Sequence, residues 1–382
     1  MAKIIFWTSL FIIFYTYFGY MILCSLLSKL FGKKVRKKDI FPSLSIIVPC
    51  YNEETVIRKK LENLTSLEYP EDKLQIIIAS ESNDKTNNIV SEFKAKGVEL
   101  YTYEERQGKS LMLYKTVPKS RGEIVVFSDA NAIYKKDALK KLASNFHDER
   151  IGAVSGILII DNPKRSNISN GEYIYKKYET LLRGSNSLLG CVLNSDGSIF
   201  AIRKKLYNPI SPERGDDFEL VIRILINGYR SVLESEAISY EHASVTAKAE
   251  TDRKIRIVSW FLKSSIILMK EMFLKFRFGL IFQIISHKLL RWFSPYFFIA
   301  IFISNFILLR ENPFYLSAFI FQISILLNGM LGYYISKTKK KKTPLILGIS
   351  HYFIMFNYGF IIGTIKGLIP SKTSSYWEKV RA

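Results

Sequence analysis

The chain has 382 residues, 48% of them hydrophobic and 14% aromatic, and its 55 Lys and Arg against 34 Asp and Glu give a formal charge of +21. That composition can fill a large core and still supply membrane segments, and the charge favours anionic partners: phosphorylated substrates, acidic lipid headgroups or nucleic acid. Nucleic acid is set aside because the basic clusters at 33–38 and 337–342 flank apolar segments, where the positive-inside rule places them.

Residues 4–28 carry no charge, and about 20 apolar residues suffice to cross the hydrocarbon core. The run continues through Leu30 and Phe31 into Lys33, Lys34, Arg36, Lys37 and Lys38, which reads as an uncleaved transmembrane anchor over 1–32 with its far end in the cytoplasm. Cys24, Cys50 and Cys191 are scattered, without zinc or disulfide spacing. A reducing, cytosol-facing compartment follows.

Four segments then share one design. Residues 44–48 form an apolar strand stopped by Pro49, and Tyr51, Asn52, Glu53 and Glu54 open a helix that runs to about residue 67. Residues 74–79 form a second strand, ending in Ser80, Glu81, Ser82 and Asp84; residues 98–103 form a third, followed by Arg106, Gly108 and Lys109. The fourth, Ile124 to Phe127, ends in Ser128-Asp129-Ala130-Asn131. Strand, polar loop and helix in repetition imply a mainly parallel sheet with helices on both faces. Such sheets bind ligands beyond the carboxyl ends of their strands. There Asp129 and Asn131 offer oxygen ligands to a hard cation such as Mg²⁺. A lone Asp-x-Asn more often turns or caps a chain, but capping needs no Arg106 and Lys109 on the same rim, whereas a diphosphate does. Neither G-x-G-x-x-G after the first strand nor a P-loop is present, which leaves a metal to hold two phosphates.

Farther on, Asp216 and Asp217 precede an amphipathic helix, where acids suit either a helix N-terminus or a general base.

The ordered set Val48-Pro49-x-Tyr51-Asn52-Glu53-Glu54, Ser82-x-Asp84-x-Thr86, Arg106-x-Gly108-Lys109 and Phe127-Ser128-Asp129-Ala130-Asn131 resembles the family 2 glycosyltransferases. The likeness extends over 43–265 through a glycine-containing loop and short strand at 190–203, the acidic pair in Gly215-Asp216-Asp217-Phe218, and the basic run Arg253-Lys254-Ile255-Arg256. It implies a GT-A fold, a nucleotide-diphosphate sugar donor, a divalent cation (Mg²⁺ or Mn²⁺) on Asp129 and Asn131, and inversion in a single displacement with Asp217 as base and Asp216 beside it. Pro49, Tyr51, Asn52, Glu53, Ser80, Glu81, Arg106, Lys109, Asp129 and Arg256 are the implied donor-site residues. Two departures stand out: the family's Asp-x-Asp is Asp129-x-Asn131, and Ser80 stands where many members pair an aspartate with uracil, with Glu81 adjacent. The Gln-x-x-Arg-Trp of processive synthases is replaced by Arg253 to Ile257, with Trp260 four residues late.

After 33–265, residues 266–293 mix apolar and basic residues, as amphipathic helices in the headgroup plane do. Membrane segments are expected at 295–309, 314–336 and 344–365 within 294–366, followed by a tail at 367–382. Three crossings, outward, inward and outward again, would leave the tail outside, which sits badly with Lys366, Lys372, Lys379 and Arg381 under the positive-inside rule, unless one segment is re-entrant or the count of segments is off by one. The reading is a multi-pass plasma-membrane glycosyltransferase with a cytoplasmic catalytic domain, using a lipid-linked or glycan acceptor and contacting membrane lipids but no nucleic acid. A processive polysaccharide synthase and a non-catalytic sugar-nucleotide-binding or scaffold subunit are the alternatives.

Overall fold

The computed structural model describes residues 1–106, 108–161, 167–210, 214, 216–242, 247–338 and 344–369. The four apolar runs become parallel strands β1 (Leu44–Cys50), β2 (Leu74–Ser80), β3 (Val98–Thr102) and β4 (Ile124–Phe127). Ile46 and Val48 share one core with Ile57 and Leu61, whereas Ile47 belongs to the core on the opposite face with Met112, Leu113 and Phe218. This period of two buries both faces under helices, as β-branched runs of this kind require.

Four further strands, β5 (Ile133–Tyr134), β6 (Ile151–Asp161), β7 (Phe200–Arg203) and β8 (Arg230–His242), complete one eight-stranded sheet in the order β3-β2-β1-β4-β7-β6-β8-β5. Because β7 enters antiparallel between β4 and β6, the sheet is mixed but mainly parallel. The register pairs Cys50 with Ser80 and Ser80 with Thr102, so the parallel strands end along one edge and collect their polar loops there. The helix expected to reach residue 67 stops at Leu64, where the Thr65 hydroxyl donates back to the Leu61 carbonyl (2.9 Å).

Helix Ala247–Leu274 is continuous across residue 265, the expected domain division. Among the described residues, three helical stretches, Ala2–Phe31, Pro313–Ser336 and Leu345–Leu368, are long and apolar enough to cross a membrane. The expected short segment at 295–309 is one arm of a pair, Phe278–Trp292 and Ser294–Ile307, bent by 57°. Pro295 starts the second arm, where a missing N–H is harmless. Large apolar side chains such as Trp7, Phe11, Phe18 and Ile22 are exposed along the first stretch, as a lipid-facing surface demands. Lys3 pairs with Glu311 (2.6 Å) in the turn that follows Ser294–Ile307, so that arm and the first helix lie antiparallel. The last helix turns Gly359, Gly363 and Gly367 toward Ala247–Leu274; a Cβ on Gly363 would meet the Val258 Cβ at 2.8 Å, so only glycine lets the backbones approach this closely.

Candidate active site

The loops after β1 and β2 are laced together. Asn52 adopts φ 54°, a conformation asparagine tolerates better than most residues. Its N–H donates to Ser82 Oγ (2.9 Å) and its Oδ1 accepts from Asn83 N–H (3.0 Å). The Glu53 N–H donates to Thr86 Oγ1 (2.9 Å), and Asp84 accepts from the N–H groups of Thr86 (2.9 Å) and Glu54 (3.3 Å). The recurring polar residues at 82, 84 and 86 therefore hold backbone. Ser80 is fully buried and its hydroxyl accepts from Ser82 N–H (3.2 Å), which places it beneath the loop. Pro49 falls where the β4 ladder, ending at Ile47, no longer needs an N–H.

Glu81 draws in the third loop. Its Oε2 accepts from the Gly108 N–H (3.1 Å), while its buried Oε1 has no hydrogen-bond partner. Gly108 has φ 84°, which favours glycine. The Arg106 guanidinium lies 4.1 Å from the centroid of the Tyr51 ring, a cation–π stack that joins the loops of β1 and β3.

The acids converge farther along the edge. Lys109 Nζ donates to Asp129 Oδ1 at 2.9 Å. The chain at Ser195 approaches from the other side and fastens the start of helix Asp216–Ile226: its N–H (3.2 Å) and Oγ (3.0 Å) both donate to the Asp217 carbonyl. Between them lies Gly197, whose absent Cβ would stand 3.5 Å from Lys109 Nζ and 4.0 Å from both Asp129 Oδ2 and Asp217 Oδ2. Two carboxylates and an ammonium thus face one hollow that a side chain would fill. Arg256 comes from helix Ala247–Leu274; burial pulls its pKa below the ordinary value, the charge of Arg253 adds to this, and Asp129 and Asp217 oppose it. Asn131 is half-buried on the turn after Asp129. Gly215 and the side chain of Asp216 lie outside the described residues.

Lys60 is absent from the residues singled out by motif. It is fully buried under the Asp129 turn, donates to Ser128 Oγ (2.7 Å) and the Ala132 carbonyl (2.5 Å), and lies 4.2 Å from the Tyr134 ring centroid. Burial lowers its pKa to about 7, against the pull of Asp129 and Glu241. Its spacing gave a signal: Ile57, Lys60, Leu61 and Leu64 fall on one helix face.

No group of three or more His, Cys, Asp or Glu side chains forms a metal cluster among the described residues. The donor set still fits a hard divalent cation that keeps waters and takes substrate phosphates, because Asp129 Oδ2 faces the open hollow and Asn131 follows on the same turn.

A family model described as Glycosyltransferase like family 2 matches residues 42–259. A probable glycosyltransferase, YdaM, of Bacillus subtilis (strain 168) is 29% identical over 294 residues, covering 72% of this chain and 67% of that protein. The beta-monoglucosyldiacylglycerol synthase of Trichormus variabilis (strain ATCC 29413 / PCC 7937) is 30% identical over 169 residues, 43% of this chain and 36% of the relative, so the match spans about a third of its length. Among solved structures, the mannosyltransferase PcManGT of Pyrobaculum calidifontis, in complex with GDP-Man and Mn²⁺, superposes with a TM-score of 0.69 at 19% identity over 96% of this chain and 99% of that one. The shared architecture is a GT-A-like sheet with helices at both ends.

Proposed function

The chain belongs to glycosyltransferase-like family 2, and from that premise we propose a membrane-held, inverting hexosyl- or N-acetylhexosaminyltransferase that uses a nucleotide-diphosphate donor and a lipid-linked or glycan acceptor at the cytoplasmic face. One observation carries the reading: Asp129 from the end of β4 and Asp217 from a helix start lie equally far, 4.0 Å, from a point beside Gly197. Leaving-group stabilisation and proton removal need opposite sides of one anomeric carbon.

In this reading the acceptor hydroxyl attacks the anomeric carbon. The new C–O bond forms as the bond to the β-phosphate oxygen breaks; the bonding pair leaves with the diphosphate, and the hydroxyl proton passes to Asp217. Lys109 and Arg256 stabilise the charge growing on the diphosphate. A divalent cation held by Asp129 and Asn131 would add Lewis-acid stabilisation of the same charge. Tyr51 and Arg106 line the nucleotide side, and the second oxygen of Glu81 offers a buried acceptor for the base. Asn52, Glu53, Ser80 and Pro49 shape that side through backbone.

The membrane arrangement follows the same proposal. Residues 1–32 anchor the catalytic unit, whose closing helix extends to Leu274. The bent pair Phe278–Trp292 and Ser294–Ile307 would cross outward as one span, its second arm beside the first helix, and Pro313–Ser336 would return. The glycine face of Leu345–Leu368 holds its end against the catalytic unit, which would keep that end on the cytoplasmic side; residues 370–382 lie outside the described residues.

The test is turnover of a nucleotide-sugar panel by the purified full chain with Mg²⁺ or Mn²⁺. Asp217→Asn is expected to lower kcat by about 10²–10⁴ while nucleotide-diphosphate binding persists. Wild-type turnover in that variant would remove the base from the scheme. Binding without turnover for every donor and acceptor tried would favour a non-catalytic subunit.

A further inference from the structure

Helix Ile57–Leu64 follows the polar loop after β1 and runs beneath the turn that carries Asp129. Ile57, Leu61 and Leu64 on its buried face join the core, and Lys60 stands among them fully buried. A methionine or leucine would fill that place without electrostatic cost, whereas an ammonium taken out of water needs compensating acceptors. What the lysine can do there, and an apolar residue cannot, is donate. Its Nζ meets Ser128 Oγ (2.7 Å) just before Asp129 and the Ala132 carbonyl (2.5 Å) just after Asn131, so one group closes both ends of the turn. Asn63, three residues along the same helix face, secures the exit: its Nδ2 donates to the Tyr134 carbonyl (2.8 Å) and its Oδ1 accepts from the Tyr134 N–H (2.7 Å).

The bonds continue across to the opposite wall of the hollow. The Ser128 hydroxyl, having accepted from Lys60, donates onward to the Ser198 carbonyl at 3.2 Å, with the Asp129 carbonyl, at 3.4 Å, the longer alternative. The Tyr134 hydroxyl, whose ring lies against the Lys60 ammonium, reaches the same Ser198 carbonyl at 3.0 Å. Ser198 follows Gly197, on the stretch whose Ser195 fastens the Asp217 carbonyl and whose Asp196 pairs with Arg183 of helix Asn167–Leu189 (2.7 Å). Lys60 is therefore the root of a buried network with one branch under Asp129 and the other on the chain that leads to Asp217. Such networks, when every member is satisfied, rigidify what they join. A hollow that must seat a diphosphate and an acceptor together leaves little play, because a misplacement of about 1 Å can cost about 10²-fold in rate.

We propose that Lys60 is a positioning residue: through Ser128 and the Ser198 carbonyl it locks the turn at 129–131 against the Gly197 chain and so fixes the separation of Asp129 from Asp217. The inference rests on the glycosyltransferase reading and adds to it a residue that touches neither substrate nor cation.

The experiment compares Lys60→Met, Ser128→Ala and the double variant in the full chain in detergent. It measures turnover at saturating Mn²⁺, and Mn²⁺ binding in the presence of UDP or GDP from the paramagnetic resonance of the free ion. Lys60→Met is expected to lower kcat about tenfold or more with the donor KM nearly unchanged, since the loops that line the nucleotide side keep their bonds, and to weaken Mn²⁺ binding. The direction of the Mn²⁺ change separates position from charge. A lysine acting only through its charge repels the cation, so its removal would tighten Mn²⁺ binding, and that result overturns the proposal. A folded Lys60→Met with wild-type kcat, the mark of a lysine that serves packing alone, overturns it as well. Ser128→Ala is expected to lose kcat in the same way, and the double variant to lose no more than Lys60→Met; losses that multiply would mean that the two side chains act separately, against the proposal. If Lys60→Met shows no cooperative thermal transition, Ser128→Ala decides: lower kcat and weaker Mn²⁺ binding support the tie, and wild-type values of both overturn it. A wild-type chain that binds Mn²⁺ but turns over no donor sinks the transferase reading instead, and the Mn²⁺ measurements then judge the tie alone.

Discussion

Gly197→Ala separates the hollow from the fold. The new methyl carbon would stand 3.5 Å from Lys109 Nζ and 4.0 Å from the Asp129 and Asp217 oxygens, all ordinary contact distances, and position 197 has no left-handed φ. Folding should therefore tolerate the change, with stability unaltered or raised by about 0.4–1 kcal/mol through a less flexible unfolded chain. Function should not tolerate it. A cation that Asp129 would hold on the hollow side of Oδ2, and the diphosphate it would stabilise, would have to share that space with the new methyl group. The methyl group would also crowd Lys109 Nζ, 3.5 Å away, on the side where a diphosphate would be stabilised.

Losing one such electrostatic contact in a transition state costs about 2.7–4 kcal/mol, or about 10²–10³ in rate. We expect kcat/KM for the donor to fall by that factor while the thermal midpoint stays level or rises. Release of nucleotide diphosphate, followed with scanning fluorimetry on the same preparation, reads both. Activity within twofold of wild type would show that the leaving group is not held beside Gly197. A parallel collapse of activity and thermal midpoint would show that the glycine serves packing, and the shared hollow would lose its meaning.

Three more outcomes follow from the same geometry. Chelation with EDTA should abolish turnover and Mn²⁺ or Mg²⁺ restore it, and Asn131→Asp, by returning a formal charge to the turn, should lower the metal concentration for half-maximal activity several-fold; a metal-independent rate would remove the cation from the scheme. Glu81→Ala strips the buried Gly108 N–H of its acceptor and should destabilise the chain by about 1–3 kcal/mol and raise the donor KM, whereas Glu81→Gln keeps an acceptor oxygen and most of the stability; equal behaviour of the two variants counts against the clamp. Lys60 has a folded pKa of about 7 against an ordinary 10.5, so between those values the unfolded chain binds more protons and stability gains with rising pH, by at most about 1.4 kcal/mol per pH unit. Lys60→Met should flatten that dependence between pH 7 and 9 in thermal midpoints, and superimposable slopes would mean that Lys60 keeps its proton in the folded chain across that range, its pKa not lowered by burial.

The parallel strands were legible because a β-branched run of five to seven residues has few other uses, and their polar exits were legible because parallel sheets gather them at one edge. What individual polar residues do there was not. Asn52, Ser80, Asp84 and Thr86 resemble donor ligands in sequence, yet their side chains accept from loop backbone N–H groups, a role that depends on which loops become neighbours. Lys60 was hidden for the opposite reason: its place on the buried helix face could be read from Ile57, Leu61 and Leu64, but a lysine beside Lys59 reads by default as a solvated charge. Gly197, Asp196 and Arg183 belong to no local pattern, since their contacts join the hollow to a helix that lies elsewhere in the chain.

The membrane count shows the same limit and a way past it. Hydropathy measures only whether a helix is long and apolar enough to cross, and Leu345–Leu368 is. What decides its course is the partner along its length, and Gly359, Gly363 and Gly367, four residues apart, mark one face shaped for a closely approaching backbone. That partner is Ala247–Leu274, the helix that carries Arg256 to the hollow. In the proposed arrangement, a helix held along its last turns by that neighbour keeps its end on the cytoplasmic side. The glycine spacing, which requires a partner, and the positive charges that follow it, which oppose an outward crossing, both support that proposal.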